Sequence, residues 1–290
     1  MFTGSLVAIV TPFRKGRVDE QALGDLIEFH ISKGTNGIVP CGTTGESATL
    51  SQEEHERVVA FTVEAVNHRV PVIAGTGSNS TEEAIVFTKH AKQVGSDAAL
   101  LITPYYNKPT QEGLFQHFSI IAKTVDLPLI LYNIPGRTCV NMMPTTVARL
   151  AKISSIIGIK EGSGSLQQVS DIIQECGDRV TVLSGDDPLT LPMMAIGAKG
   201  VITVTANIVP ADMAAMVQAA LEGHMDRAKA LHYKMAPLFT ALFYETNPIP
   251  VKEALAMMNK IDGELRLPMS PMAPDNRERL RQVMKDYGLL

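Results

Sequence analysis

A lysine stands at the end of one strongly apolar segment of the chain. The segment IIGIKEGSGS, residues 156–165, runs through β-branched residues directly into Lys160 and Glu161. Short runs of this kind favour a strand that is buried on both faces. Burial disfavours the ammonium form and lowers the pKa of a lysine, so more of its amine is neutral and able to form an imine with a carbonyl compound. The alternative is a lysine that extends along an apolar surface and pairs with Glu161.

Hydroxyl groups follow other apolar segments. The loop GTTGES, residues 42–47, offers backbone N–H groups and two threonine hydroxyls that can bind a carboxylate or phosphate oxygen, although an ordinary glycine turn has the same composition. Tyr132 ends the apolar segment that precedes the one with Lys160, so its phenol can approach the amine. Thr43 and Tyr106 are candidate neighbours that would share a proton with this phenol. A position at the rim of a pocket is the alternative for each tyrosine.

Charged side chains complete the set of candidate groups. Arg137 follows a stiff Pro-Gly pair, and a guanidinium held there can bind a substrate carboxylate through two hydrogen bonds. A surface ion pair explains the same residue equally well. Asp186 and Asp187 could bind a metal, but no further ligands cluster near them in the sequence. We therefore expect these acids to cap a helix that begins near Pro188.

Eight apolar segments, each followed by a helical pattern, must position these groups. They are continuous rather than alternating runs, which indicates a parallel sheet covered on both faces. The predicted strands lie within residues 5–13, 36–47, 70–80, 97–109, 127–137, 156–161, 180–187 and 200–207. The predicted helices cover residues 18–34, 112–125, 144–152, 165–177 and 211–223, one more ends near Gly197, and two begin in capping boxes, Ser51 with Glu54 and Ser80 with Glu83.

Eight strand–helix units predict an α/β protein with a (β/α)8 TIM barrel. The alternative, a doubly wound open sheet, needs a glycine-rich phosphate loop after its first strand, where this chain has TPFRKGR. In a barrel the loops after the strands meet at one end, so the polar clusters described above would share one site. We expect the barrel to occupy residues 1–223, and a C-terminal helical extension packed on the barrel to occupy residues 224–290.

The composition argues against several classes of function. The chain has 290 residues and a formal net charge of −4, so it lacks the basic field of a nucleic-acid-binding protein. No apolar run has the length of a membrane span, and the first residues lack the features of a signal peptide. The cysteines, Cys41, Cys139 and Cys176, have no metal-ligand spacing and suggest a reducing compartment. We therefore expect a cytoplasmic protein with no membrane, nucleic-acid or metal partner.

Several motifs together resemble one enzyme family. The segments GTTGESATL, PVIAGTG, TPYYNKPTQEG, LILYNIPGRT, IIGIKE, LSGDD, TVTAN and NPIPVK resemble, in order and spacing, those of the dihydrodipicolinate synthases. These are class I, Schiff-base enzymes of the N-acetylneuraminate lyase superfamily, and the resemblance covers essentially the whole chain. One departure is Gly162, where the family commonly has alanine. The change loosens the turn after the lysine but removes no functional group.

The resemblance implies a reaction and a set of residue roles. The reaction is condensation of pyruvate with L-aspartate 4-semialdehyde to 4-hydroxy-tetrahydrodipicolinate, in lysine and diaminopimelate biosynthesis, with no metal or organic cofactor. The implied roles are imine formation by Lys160, proton transfer by Tyr132 with Thr43 and a neighbouring subunit's Tyr106, substrate binding by Thr44, Gly185 and the backbone of Ile202, and binding of the aldehyde substrate by Arg137. The resemblance also implies a homotetramer built as a dimer of dimers.

Two other functions remain open on the sequence alone. Another pyruvate-dependent aldolase or lyase of the same superfamily would act on sialic acid or a keto-sugar acid. Arg137 argues against it, because lyase-type members resemble one another in an arginine-free sequence at this loop. A non-catalytic barrel that senses a small keto acid would use Lys160 only for its charge.

Feedback inhibition by L-lysine is also implied, at a dimer interface beside the mouth of the active site. The matching positions are Ser47, Ala48, His55, Asn79, Glu83 and Tyr105. Glu83 can pair with the α-ammonium group of the ligand and Asn79 with its carboxylate. Gln52 stands where strongly inhibited members tend to have histidine, so we expect partial inhibition. The alternative is that these residues only cap the helix from Ser80 and line an interface.

Overall fold

Eight parallel strands surround the centre of the molecule. The computed structural model describes residues 2–290. Its barrel strands are β1 (Gly4–Ala8), β2 (Gly37–Val39), β3 (Ile73–Gly75), β4 (Ala98–Ile102), β5 (Leu129–Asn133), β6 (Ile156–Glu161), β7 (Thr181–Ser184) and β8 (Gly200–Thr203). Continuous apolar segments supply these strands because one face of each strand lies inside the barrel and the other lies under the helices.

The strands form one closed sheet. Their order along the sheet is β2-β1-β8-β7-β6-β5-β4-β3, and every pair is parallel. The two outer strands meet through a bridge between Ile38 and Val72, and the Ile38 N–H donates to the carbonyl of Pro71 at 2.9 Å. The predicted (β/α)8 barrel is therefore confirmed, and the open-sheet alternative is wrong.

Helices connect the strands and cover the outside of the barrel. They are α1 (Glu20–Ser32), α2 (Gln52–Val66), α3 (Thr81–Gln93), α4 (Gln111–Thr124), α5 (Pro144–Leu150), α6 (Leu166–Cys176), α7 (Thr190–Ala195) and α8 (Pro210–Leu221), followed by α9 (Met225–Ala241), α10 (Ile249–Met257) and α11 (Pro274–Tyr287). Single helical turns lie at Ser47–Thr49, Pro135–Thr138, Gly177–Arg179, Asp187–Leu189 and Thr205–Asn207. Within residues 2–290, no helix combines the length and the apolarity needed to cross a membrane.

The first strand is shorter than the apolar run from which it was predicted. The run covers residues 5–13, but β1 ends at Ala8. The Val10 N–H already leaves the sheet ladder and donates to the side-chain oxygen of Asn207 at 3.2 Å. Pro12 lacks an N–H group and cannot take part in a ladder. Beyond it, Phe13–Arg14 pairs antiparallel with Arg17–Val18 in a small hairpin outside the barrel.

One of the two predicted capping boxes forms. The Ser51 hydroxyl accepts from the Glu54 N–H at 3.2 Å, and the Glu54 carboxylate accepts from the Ser51 N–H at 3.0 Å. The Ser80 hydroxyl accepts from the Glu83 N–H at 3.4 Å, but the reciprocal bond is missing. The second capping box was therefore wrong, because the Glu83 carboxylate accepts instead from the hydroxyl of Ser78.

Alternate side chains of the strands form two cores. The inner cluster lies within the barrel and contains Leu6, Ala8, Val39, Ile73, Ala98, Leu100, Ile130, Tyr132, Leu183 and Ile202. The larger cluster, which includes Val7 of β1, lies between the sheet and the helices. Tyr132 pairs in register with Lys160 on the neighbouring strand, so the lysine side chain points to the same inner face. The apolar inner cluster therefore forms the floor beneath Lys160.

The three helices after residue 224 pack on the barrel. Asp212 of α8 joins two of them, because its carboxylate accepts from the Lys234 ammonium at 2.6 Å and from the Tyr287 hydroxyl. The division of the chain into a barrel, residues 1–223, and an extension, residues 224–290, stays a prediction.

The pairing of β1 with β8 depends on two glycines. Gly4 lies opposite Gly200, and a Cβ on Gly200 would stand 2.1 Å from the Gly4 carbonyl oxygen. Gly200 also has a φ of +153°. We expect Gly200→Ala to lower the free energy of unfolding by at least about 2 kcal/mol, because backbone atoms must move. Denaturant unfolding measures this loss.

Gly136→Ala is the control for that measurement. A Cβ on Gly136 would meet no atom within 4 Å, so this variant should unfold at nearly the same denaturant concentration as the original chain. Equal stability of the two variants would show that the barrel tolerates a side chain at Gly200.

Candidate active site

Two adjoining cavities open where the barrel strands end. The inner cavity has a volume of about 40 Å³ and is lined by Lys160, and the outer cavity has a volume of about 250 Å³. Thr43, Tyr132, Arg137 and Asn247 border both cavities. The structure thus brings together groups from the loops after β2 and β5, from the end of β6 and from the chain beyond the barrel.

Lys160 is buried at the end of β6. Its ammonium nitrogen lies 4.3 Å from the centre of the Tyr132 ring. Burial lowers the pKa of Lys160 to about 8; the Asp187 carboxylate opposes this change, and the Arg137 guanidinium adds to it. A substantial fraction of the amine is therefore neutral near neutral pH, and it can act as a nucleophile.

Tyr132 supplies a phenol to the same cavity. Burial raises the pKa of Tyr132 to about 12, although the Arg137 guanidinium and the Thr43 hydroxyl both favour the phenolate. The phenol is therefore protonated at neutral pH and can donate a proton. It can also accept one when its phenolate is stabilised by those same two neighbours.

Neither the Asp186 nor the Asp187 side chain caps the helical turn Asp187–Leu189, so that prediction was wrong. Asp187 binds elsewhere. Its buried carboxylate accepts from the backbone N–H groups of Val204 at 3.1 Å and Thr205 at 2.7 Å, just after β8. It therefore caps the helical turn of the next loop instead. Burial raises the pKa of Asp187, while the hydroxyls of Thr205 and Thr203 and the Lys160 ammonium oppose that change. The sequence singled out this acid, but its partners could not be predicted from spacing.

Asn247 is a site residue that the sequence analysis missed. Its side-chain amide donates to the Thr44 hydroxyl at 3.0 Å, and its backbone carbonyl accepts from Arg137 at 3.0 Å. Within residues 2–290, the buried side-chain oxygen of Asn247 has no hydrogen-bond partner. Its only signal in the sequence was the NPIPVK segment. Asn247 therefore fixes the orientation of two predicted substrate-binding side chains.

Gly185 and Ile202 occupy different depths of the site. A Cβ on Gly185 would stand 3.2 Å from both Cγ and Cε of Lys160, so glycine leaves room for the lysine side chain. Ile202 belongs to the inner apolar cluster and borders neither cavity with its side chain. A backbone contact of Ile202 with substrate stays a prediction.

Tyr106 lies away from the cavities of its own chain. It is 90% exposed, has a φ of 68° and does not line either cavity. The adjacent Tyr105 turns the other way and borders the outer cavity. A proton relay through Tyr106 would therefore act on a different chain, which agrees with the role that the resemblance implies, and it stays a prediction.

The outer cavity is lined by three of the six residues of the predicted lysine site and not by the other three, His55, Asn79 and Glu83. Ser47, Ala48 and Tyr105 line it, and the Asn79 amide donates to the Tyr105 carbonyl at 3.3 Å. Burial raises the pKa of Tyr105, and the nearby Glu83 carboxylate adds to this change.

His55 and Gln52 lie on the first turn of α2, and neither lines the outer cavity. The His55 ring is buried and stacked on Phe87 with ring centres 4.1 Å apart, and its Nε2 lies 2.7 Å from the Gly75 carbonyl oxygen. The Gln52 amide donates to Glu56 at 2.9 Å. His55 is therefore held in place, while Gln52 is engaged on the surface of its own helix.

The chain is similar to known proteins over its whole length. A model of the dihydrodipicolinate synthetase family matches residues 1–287. The 4-hydroxy-tetrahydrodipicolinate synthase of Syntrophobacter fumaroxidans is 64% identical over 291 residues, with 100% of both chains covered. The Acinetobacter baumannii dihydrodipicolinate synthase, solved in complex with pyruvate, has 50% identity and a TM-score of 0.98, with 100% of both chains covered. The Cyanidioschyzon merolae enzyme with lysine bound has 39% identity and a TM-score of 0.97, covering 100% of this chain and 99% of that one.

The charge of Asp187 should set the pKa of Lys160. We expect Asp187→Asn to move this pKa below about 8, because the carboxylate that favours the ammonium form is lost. Reductive methylation with 13C-formaldehyde, followed by NMR titration, measures the pKa. Asp186→Asn is the matched control and should leave the value near that of the original chain. An unchanged or raised Lys160 pKa in Asp187→Asn would contradict this assignment.

Proposed function

Because the chain belongs to the dihydrodipicolinate synthetase family, we propose that it condenses pyruvate with L-aspartate 4-semialdehyde through an imine on Lys160. The activity is that of a 4-hydroxy-tetrahydrodipicolinate synthase, a lyase of the class I aldolase type, and it belongs to the biosynthesis of lysine and diaminopimelate. The imine, the residue roles and the assembly are the parts that we propose.

One observation carries the proposal of an imine. Lys160 is a buried lysine with a pKa lowered to about 8, and its nitrogen lies 4.3 Å from the centre of the Tyr132 ring. A nucleophilic amine and a proton-transferring phenol are the two groups that imine formation needs. Pyruvate bound to the Acinetobacter baumannii relative supports the same choice of first substrate.

The first half of the reaction makes a nucleophile from pyruvate. The neutral amine of Lys160 attacks the keto carbon and gives a carbinolamine. Tyr132 donates its proton to the departing hydroxyl group, so water leaves, a protonated imine forms and Tyr132 becomes a phenolate. The imine withdraws electrons from the methyl group, which gives up a proton to the phenolate of Tyr132 and becomes an enamine. Thr44 and the backbone N–H groups of its loop hold the pyruvate carboxylate, and Thr43 shares the proton with Tyr132.

The second half joins the two substrates. The enamine carbon attacks the aldehyde carbon of the semialdehyde, and Tyr132 returns its proton to the new alkoxide. The amine of the semialdehyde then attacks the imine carbon, closes the ring and releases Lys160. Arg137 holds the carboxylate of the second substrate, because its guanidinium borders both cavities.

The proposed assembly is a homotetramer, a dimer of dimers, in the cytoplasm. Tyr106 supports an assembly, since its phenol is 90% exposed and cannot serve its own cavity. In a dimer this phenol would extend the proton relay of Tyr132 and Thr43 in the neighbouring chain.

Arg137 also separates the proposed reaction from its alternatives. A keto-sugar or sialic acid lyase would not need a guanidinium at this loop. A non-catalytic keto-acid sensor would not need a lysine with a lowered pKa beside a phenol. A coupled assay with pyruvate and aspartate semialdehyde tests the proposed reaction, and borohydride trapping in the presence of pyruvate separates an imine-forming enzyme from a non-catalytic sensor.

Borohydride should trap pyruvate on one residue. We expect mass spectrometry to find the reduced adduct on Lys160 alone. With a pKa of about 8, about one amine in ten is neutral at pH 7 and about nine in ten at pH 9, so the rate of imine formation should rise about tenfold and then level off. Rapid mixing with pyruvate before reduction measures this rate.

Lys160→Arg is the control for the trapping experiment and should give no adduct. An adduct on a different lysine would overturn the proposed role of Lys160. A rate that keeps rising about tenfold per pH unit up to pH 10 would show that the amine has an ordinary lysine pKa.

We also propose that L-lysine inhibits the enzyme at a dimer interface beside the outer cavity. The lysine-bound Cyanidioschyzon merolae relative supports this proposal. Glu83 would pair with the α-ammonium group of the ligand and Asn79 with its carboxylate. Tyr105 borders the outer cavity and is the neighbour of Tyr106, so a ligand that moves one tyrosine can disturb the proton relay through the other.

Millimolar L-lysine should inhibit the enzyme partially. We expect Glu83→Ala to weaken lysine binding about tenfold or more, since a charge-assisted hydrogen bond is lost. Isothermal titration calorimetry measures the affinity, and Glu82→Ala, on the same helix turn, is the control. No binding of L-lysine at tens of millimolar would remove the inhibitor site and leave the catalytic proposal intact.

A further inference from the structure

A glutamate lies behind the loop that carries the two threonines of the site. Glu46 follows Thr43 and Thr44 in the GTTGES loop, and its N–H donates to the Thr43 carbonyl at 3.1 Å. Its backbone is left-handed, with a φ of 54°, a conformation that costs free energy for any residue other than glycine. Such strain persists only where surrounding contacts fix the residue. The orientation of Glu46 is therefore coupled to the Thr43 peptide.

The contacts that fix Glu46 come from the chain beyond the barrel. The ammonium of Lys252, in α10, lies 2.6 Å from one carboxylate oxygen, and both side chains are almost completely buried. The Arg266 N–H donates to the other oxygen at 3.2 Å. Lys252 also donates to the Thr11 carbonyl at 3.0 Å and lies 4.2 Å from the centre of the Phe13 ring. The pair thus connects the substrate loop to two distant segments.

Stability alone does not account for this pair. Replacing a buried ion pair by apolar groups of similar volume is often neutral for folding or even stabilising. A buried pair does, however, hold its two backbones in one relative position, because any displacement leaves a charge without its partner. Here one of those backbones is the strained turn next to Thr44.

We propose that the Glu46–Lys252 ion pair positions the turn of Thr43 and Thr44, and so sets the affinity of the site for the carboxylate of pyruvate. Glu46 and Lys252 are positioning residues, since neither touches the reacting atoms. This inference rests on the proposed function, in which that turn binds pyruvate.

The test removes both charges together. The double variant Glu46→Gln, Lys252→Met keeps the side-chain volumes and leaves no uncompensated buried charge, so it should fold with nearly the original melting temperature. We expect the KM for pyruvate, and the pyruvate concentration that half-saturates borohydride trapping, to rise about tenfold or more. The KM for aspartate semialdehyde should change by less than about twofold, because Arg137 is left in place.

Two further variants complete the design. Lys252→Met alone should lower the melting temperature, because it leaves the Glu46 carboxylate buried and unpaired. Lys234→Met, which removes an ammonium 2.6 Å from Asp212 and far from the loop, should leave both KM values unchanged.

Unchanged pyruvate affinity in the folded double variant would overturn the inference. Failure of the double variant to fold would also overturn the inference, because it would show that the ion pair is needed for the stability of the whole fold. Equal increases of both KM values would also contradict it. Failure of the proposed function is distinguishable, because the original chain would then trap no pyruvate at all.

Discussion

Burial of the Lys160 amine near one negative side chain, Asp187, and one positive side chain, Arg137, is the constraint on which the site depends. The strand end removes water from the ammonium group, while Asp187 favours that charge and Arg137 disfavours it. The resulting pKa of about 8 is therefore a balance between burial and two fixed side chains. Without Asp187 the pKa of Lys160 would fall further, and the positive charge of a protonated imine would lose its negative neighbour.

The same constraint explains several glycines and backbone contacts nearby. Gly185 gives the lysine stem a place to lie, since a side chain there would press on Cγ and Cε of Lys160. Two backbone N–H groups of the following loop donate to the buried Asp187 carboxylate and so favour its charged form beside the amine. The site is thus built as much from strand ends and backbone as from the reactive side chains.

Local patterns in the sequence were sufficient to predict the fold and the central residues of the site. Repeated apolar runs predicted the barrel, and neighbouring strand ends predicted that Tyr132 would meet Lys160. The unpredicted contacts join distant segments: Asp187 reaches 17 residues to Val204, and Asn247 reaches 203 residues to Thr44. Spacing cannot supply such partners, because the path of the intervening chain decides them. The capping box predicted for Ser80 and Glu83 does not form for a local reason, because the Glu83 carboxylate accepts from the nearby hydroxyl of Ser78.

The bond between Lys252 and Glu46 has a consequence for the order in which the chain is made. The two residues are 206 positions apart, so on the ribosome the substrate loop emerges long before its cationic partner. At ordinary rates of synthesis this delay is roughly 10–40 s. During that time Glu46 has no ammonium group to compensate its burial, so the loop cannot settle in its final conformation. The contacts that hold Glu46 are therefore completed only when about the last seventh of the chain, which begins with the helix of Lys252, has left the ribosome and folded back.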